Sequence, residues 1–430
     1  MQIRIKFVVL LLIALLAAAS MWFYVDRILV AYQVADSAAH DRPRGNLSDL
    51  YPRWLGAREL LLHRRNPYGE DIAKEIQQGY YGRVLDPDRP NDPKDQQGFA
   101  YPVYVVFLLA PLIGLPFHPV QVFFHWLLIG ITALSVWLWL RALHWRLPAI
   151  LIGACAALTL GSVPAVQGIK LQQLSLLVAG FIAGSAACVA GGFLFMGGAL
   201  LALATIKPQL AWPVAAWLML WAMSDWRKRR GLVFGFASTL AVLLAGAEII
   251  LPGWWRMFAA AIQQYHRYTQ NQSVLDQLVP WRFAGTILGV IATAGCGLFL
   301  WNSRREREDT LTFGRSAALV LALTVVIVPM YAPYNQILLL PAILVLARDR
   351  DFFIARSRAA RFVFLAAVFA LTWEWIASLG LTAAYLLGAR SWALSGWKLP
   401  FLATFTLPVL IFALMLLDAR QSRPSQTGAV

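Results

Sequence analysis

The chain has 430 residues, of which 59% are hydrophobic and only 14% charged. Soluble domains run near half apolar and about a quarter charged, so this balance excludes a soluble globular protein. The formal net charge of +15 does not point to nucleic acid, because the basic residues gather in short clusters at the ends of apolar runs.

Several of those runs are long enough to cross about 30 Å of hydrocarbon as helices, and they lack the alternation of a closed barrel. The expected fold is all-α, a polytopic transmembrane helical bundle forming a single domain over residues 1–430. The first apolar run, residues 7–25, follows Arg4 and Lys6 and contains the small-residue stretch Ala17-Ala18-Ala19. It resembles a secretory signal but, with many runs after it, is read as an uncleaved anchor.

Residues 26–99 form the long polar interval and hold twelve of the 22 acidic residues. Eleven Arg and Lys nearly neutralise it. Within it, Pro52 suits the first turn of a helix. Trp54, Leu55, Arg58, Leu61 and Leu62 would then form an interfacial face with a tryptophan anchor. Asp49 falls just before that helix. It fits two roles: a carboxylate satisfying the free N–H groups of the helix start, or a partly desolvated proton acceptor. Asp86, Asp88, Asp92 and Asp95 lie in a proline-rich stretch that reads as solvated turns, without the spacing of a cation loop.

Residues 100–118 are apolar but interrupted by Pro102, Pro111 and Pro116, and are expected to be re-entrant or interfacial. Further spans are expected near residues 120–141, 148–166, 174–191, 193–206, 209–224, 231–251, 283–301, 313–331, 336–347, 362–382 and 399–417. With residues 7–25 this makes about twelve spans. Arg141 and Arg146, Arg227–Arg230, Arg304–Arg307, Arg348–Arg361, and Arg420 and Arg423 then all face the cytoplasm. The short runs 193–206 and 336–347 could be broken helices lining a cavity. Cys155, Cys188 and Cys296 fall within apolar runs and read as small core residues.

The same parity sends the polar islands Gln167–Gln173, Ile206–Gln209, Gly253–Pro280 and Tyr331–Gln336 to the side of the acidic loop. That is what a substrate cavity needs, and also what ordinary loops do. Lys207 ends an apolar run before Pro208; it suits either a donor phosphate or snorkelling to the interface. Lys170, His266 and Arg267 are secondary candidates, with a surface role as the common alternative for His266. Glu374, between Trp373 and Trp375 in a span, is a functional candidate by its cost of burial, or is paired with a neighbouring helix.

Ser48-Asp49-Leu50-Tyr51-Pro52-Arg53-Trp54-Leu55-Gly56-Ala57-Arg58-Glu59-Leu60-Leu61 is followed in order by Asn66-Pro67-Tyr68, Phe99-Ala100-Tyr101-Pro102 and Ala110-Pro111-Leu112. Lys170-Leu171-Gln172-Gln173-Leu174-Ser175, Ile206-Lys207-Pro208-Gln209 and Asn271-Gln272-Ser273 come later. Taken in order, these segments resemble the integral-membrane, polyprenyl-phosphate-mannose-dependent mannosyltransferases of the GT-C superfamily. The resemblance implies a plasma- or inner-membrane enzyme of the cell envelope, with its site on the extracytoplasmic side. Such an enzyme moves a sugar from a polyprenyl-phosphate donor to a lipid-linked or surface glycan acceptor by an inverting displacement that needs no nucleotide site. No cofactor is expected, and no metal is assigned from the carboxylate spacing.

By position, the catalytic carboxylate of such enzymes maps onto Asp49. Lys207, Lys170, His266, Arg267, Gln173, Tyr101, Tyr334 and Asn335 are the residues that would hold donor phosphate or sugar. Relatives carry histidines near Tyr331–Gln336 and this chain has none, which leaves the sugar open. A transporter or flippase for a lipid-linked sugar is the alternative, although it should show repeated halves and mid-membrane charges. A non-enzymatic assembly component would leave the carboxylate-rich loop without a purpose.

Overall fold

The computed structural model describes residues 2–45, 48–86, 88–269, 272–279, 281, 283–329 and 331–419. Asn46 and Leu47 beside the Asp49 motif, Asn271 of the later landmarks, and Arg420 and Arg423 of the last basic cluster lie outside these residues. The described residues are helical, with no strand among them. Each expected span coincides with helix, but three are broken: 148–166 into two α-helices, and 336–347 and 399–417 each into a 3-10 segment and an α-helix.

Six helices are long and apolar enough to cross a membrane: Ile5–Ala39, Phe117–Ala142, Trp226–Ile250, Ala284–Ser303, Arg358–Leu386 and Arg390–Asp418. Shorter apolar helices, Leu174–Ala190, Leu194–Ala204, Leu311–Ile327 and Pro333–Arg348, pack among them. Residues 100–118 hold a helix at Val105–Leu109 and a 3-10 turn at Ala110–Leu112. At about 1.5 Å per residue, neither can cross the hydrocarbon.

Two expected boundaries move. The first helix does not end at residue 25; it continues through a π-turn at Val25–Leu29 to Ala39. The reason is packing: Val25, Ile28 and Leu29 are buried, and the Tyr32 ring stacks on Trp397 with centroids 4.7 Å apart. The expected span at 148–166 is instead two helices, Ala149–Leu160 and Val163–Lys170, bent by 62°.

The backbone groups freed at that bend are satisfied by side chains from other helices. Trp375 Nε1 donates to Gly161 O at 2.8 Å and Trp22 Nε1 to Leu160 O at 3.1 Å. The Val163 N–H donates to Glu374 Oε2 at 3.1 Å. Glu374 therefore holds a helix end within the bundle.

Glycine brings the short helix Leu194–Ala204 against the long helix Trp226–Ile250. A Cβ on Gly198 would stand 2.1 Å from Leu232 O, and one on Gly235 would stand 2.0 Å from Phe195 O. Only glycine lets these helix backbones approach so closely, as in other small-residue helix interfaces.

At the end of the bundle that carries the basic clusters, the arginines tie neighbouring loops to one another. Arg229 donates to Trp221 O, Arg304 O and Glu306 O at 3.0, 3.1 and 2.7 Å. Arg348 donates to Leu143 O at 3.0 Å and Arg356 to Leu417 O at 2.8 Å.

The polar interval folds into two docked helices, Tyr51–His63 and Glu70–Tyr81. Trp54 is buried against Phe117 and Tyr51 rather than serving as an interfacial anchor. Arg64, at φ 56°, and Gly82, at φ 79°, end the two helices in the left-handed region, the usual helix stop.

Candidate active site

Most carboxylates of the polar interval are consumed in holding it together. Arg65 gathers Glu59, Asp71 and Glu75 at 2.9, 2.9 and 2.6 Å. Arg83 takes Asp92 and Lys74 takes Glu70. Lys170 pairs with Asp26 at 2.5 Å. Two carboxylates differ: Asp49 and Asp95 line one cavity of about 310 Å³, a size suited to a small organic ligand.

All four polar islands reach this cavity. Gln173 comes from the first, Ile206 to Gln209 from the second, Phe258, Ile262, Tyr265 and His266 from the third, and Tyr334 from the fourth. The polar interval adds Asp49, Arg53, Asp95, Gln97 and Gly98, and Tyr101 follows it. Islands that parity placed on one side thus converge on one hollow.

Asp49 is held from both sides. Its backbone N–H donates to Leu171 O at 2.8 Å. The N-cap position of the following helix is Leu50, not Asp49. The Asp49 Oδ2 accepts from Gln173 Nε2. The Gln173 amide passes the polarity on: its Oε1 accepts from Lys207 Nζ at 2.8 Å. Lys207 also donates to Ser175 Oγ at 2.7 Å, and Ser175 Oγ donates to Asn335 Oδ1 at 2.8 Å.

The ammonium lies 5.6 Å from the Tyr101 ring centroid and 5.2 Å from that of Tyr334, within cation–π range. Lys207 is 7% exposed, which excludes a lysine reaching out to the interface.

The local sequence explains why these groups meet. Gln172 adopts φ 47°, and the chain reverses there so that Gln173 becomes the N-cap of Leu174–Ala190. Lys207 is the N-cap of Pro208–Met223, with Pro208 at the helix start. Two helix N-termini, each a fixed partial positive charge, therefore begin at the cavity wall beside the Lys207 ammonium.

Enclosure by protein pushes the Asp49 carboxyl above the usual carboxylate range. Arg53 opposes this, Asp95 reinforces it, and the Gln173 hydrogen bond and Lys207 oppose it more weakly. Asp95 is raised by the same enclosure, against the Gln97 N–H and Arg53. Arg53 donates from one terminal nitrogen to Asp49 O at 2.8 Å and lies 4.5 Å over the Tyr101 ring. Its Nε is buried and, among the described residues, unpartnered, as is Nδ1 of His266. The arrangement joins a proton acceptor to the cationic Arg53 and Lys207, with unpartnered nitrogens on Arg53 and His266, and it can receive an anionic leaving group.

Of the expected site residues, Asp49, Gln173, Lys207, His266, Tyr101 and Tyr334 meet at the cavity. Asn335 stands behind it, holding Ser175. Lys170 does not reach it: it is tied to Asp26 and lies 5.1 Å from the Trp22 ring centroid. Arg267 is exposed and does not line it. Arg53, Asp95 and Tyr265 were not expected. Asp95 corrects the solvated-turn expectation, since its carboxylate lines the cavity while gripping the Gln97 N–H at 3.0 Å and side chain at 2.9 Å.

Among known proteins, the glycosyltransferase family 87 model matches residues 99–329, more than half the chain. That region carries Tyr101, Gln173, Lys207, His266 and much of the cavity wall, and stops short of Asp49 and Arg53. No curated protein and no solved structure matches. The chain belongs to glycosyltransferase family 87, a family of membrane glycosyltransferases.

Proposed function

We propose that the chain transfers a sugar, mannose by its resemblance, from a polyprenyl-phosphate donor to a lipid-linked or surface glycan acceptor outside the cytoplasm. The observation that carries this reading is the Asp49–Gln173–Lys207 relay, which lines one cavity together with Arg53. Asp49 removes the proton from an acceptor hydroxyl. The hydroxyl oxygen attacks the anomeric carbon from the side opposite the phosphate. The bond between that carbon and the phosphate oxygen breaks with its electron pair on the phosphate, and the configuration inverts. Arg53, Lys207 and the two helix N-termini offset the charge that develops on the leaving phosphate.

An aspartate with a raised pKa is a better base near neutrality than a free one, because catalytic efficiency rises as the pKa nears the working pH. Support for about twelve spans, and for an extracytoplasmic site, comes from the basic loops. They bind one another at one end of the bundle, whereas the four polar islands share the cavity. The membrane of action would be the plasma or inner membrane.

The purified full chain, given synthetic polyprenyl-phosphate mannose and a membrane lipid extract as acceptor, should release polyprenyl phosphate and form a glycoside of inverted configuration. Retention of configuration, or release at the same rate without acceptor, would contradict direct displacement.

A further inference from the structure

A second cavity, of about 410 Å³, lies beside the catalytic one. The two share walls. Gly98 and Ala100 line both, and along the same extended segment Gln97 belongs to the first cavity and Gln96 to the second. The Trp254–Thr269 helix also serves both: Ile262 and Tyr265 face the first, Ala261 and Gln264 the second. Gly98 has no atom within 4 Å of the place its Cβ would occupy, so the space beside this shared residue is open.

The chemistry of the two hollows differs. The catalytic cavity carries Asp49, Asp95, Arg53, Lys207 and His266. The second is lined by the amides of Gln77, Gln96 and Gln264 and by the rings of Tyr68 and Phe99. Its two charged residues, Glu70 and Lys74, neutralise one another at 2.8 Å. Gln77 is committed internally, donating to Gln96 Oε1 at 2.9 Å and accepting from the Leu85 N–H at 3.1 Å. It thereby fixes Gln96, while Gln264 on the opposite wall is exposed. Amides both donate and accept, which matches hydroxyl groups, and aromatic rings offer an apolar face. An ionic ligand finds no unpaired charge here.

We infer that this second cavity is the subsite for neutral hexopyranose units of the acceptor glycan, which crosses beside Gly98 to present its hydroxyl to Asp49. The inference rests on the transfer reading above and adds where the acceptor is held and by which residues. It requires that glycoside binding and prenyl-phosphate binding depend on different side chains.

The test uses the full chain in detergent, with methyl α-mannopyranoside as the glycoside probe in saturation-transfer NMR and a prenyl phosphate as the thermal-stabilisation probe. The exposed position of Gln264 makes Gln264→Ala neutral to folding, and Gln96→Ala is the second variant. Each should weaken glycoside binding about five- to tenfold, the loss of one to two hydrogen bonds. Stabilisation by prenyl phosphate should stay at the wild-type level. Unchanged glycoside affinity in both variants, or no saturation in the wild type, would overturn the subsite. So would a parallel loss of prenyl-phosphate stabilisation in the variants, because the two hollows would then be one site. Failure of prenyl phosphate to stabilise even the wild type would count instead against the transfer reading.

Discussion

Two carboxylates with one charge balance between them define the site at the scale of residues. Burial raises the Asp49 pKa, Arg53 opposes that rise, and Asp95 adds to it by like charge. The acid limb of the rate profile should therefore lie above the ordinary aspartate range, because transfer needs the ionised base and is lost as pH falls through its raised pKa. Asp95→Asn removes the like charge and should move that limb to lower pH; a limb that stays in place would show that the two carboxylates do not interact. Lys207 and Gln173 were legible in the sequence because each stands where an apolar run gives way to a polar island. Arg53 and Asp95 were not. Asp95 sits in a stretch whose composition matches solvated loop, Arg53 in a helix expected at the interface, and their enclosure comes from helices distant in sequence, including the one that carries Tyr265.

At the scale of elements, the bent pair Ala149–Leu160 and Val163–Lys170 places the Gln173 turn. Its bend depends on Glu374, which accepts the Val163 N–H from another helix. Glu374→Leu leaves that buried donor unsatisfied and should cost about 1–3 kcal/mol, read as a lower thermal midpoint in detergent. Glu374→Gln keeps an acceptor oxygen and should fall close to wild type. Equal midpoints for the two variants would remove the capping role. Hydropathy reported that residues 148–166 are buried in a bilayer but not that they bend, because Gly161-Ser162 interrupts the helix without interrupting the apolar composition. In the same way, the polar start of residues 26–39 hid a helix that continues because Ile28 and Leu29 have a partner surface to cover.

At the scale of the molecule, the apolar runs expected from hydropathy are helical, and six of the helices are long enough to cross a membrane; apolar runs leave the backbone few alternatives. Which helices stand side by side depended on features that no window of sequence contains, such as the close approach of Gly198 and Gly235 to facing carbonyls. Charge parity carried further than hydropathy, because the four islands it grouped are the four that meet. Sidedness follows. In a background lacking Cys155, Cys188 and Cys296, an impermeant maleimide applied outside intact cells should label Gln209→Cys and spare Arg146→Cys, both exposed positions. The reverse pattern would invert the orientation.

The most direct measurement is sugar transfer by purified Asp49→Asn beside wild type, with donor binding followed in the same preparations. Donor affinity should persist while turnover falls by at least about a hundredfold, the loss expected for a general base. Turnover at the wild-type rate would contradict the account at its centre.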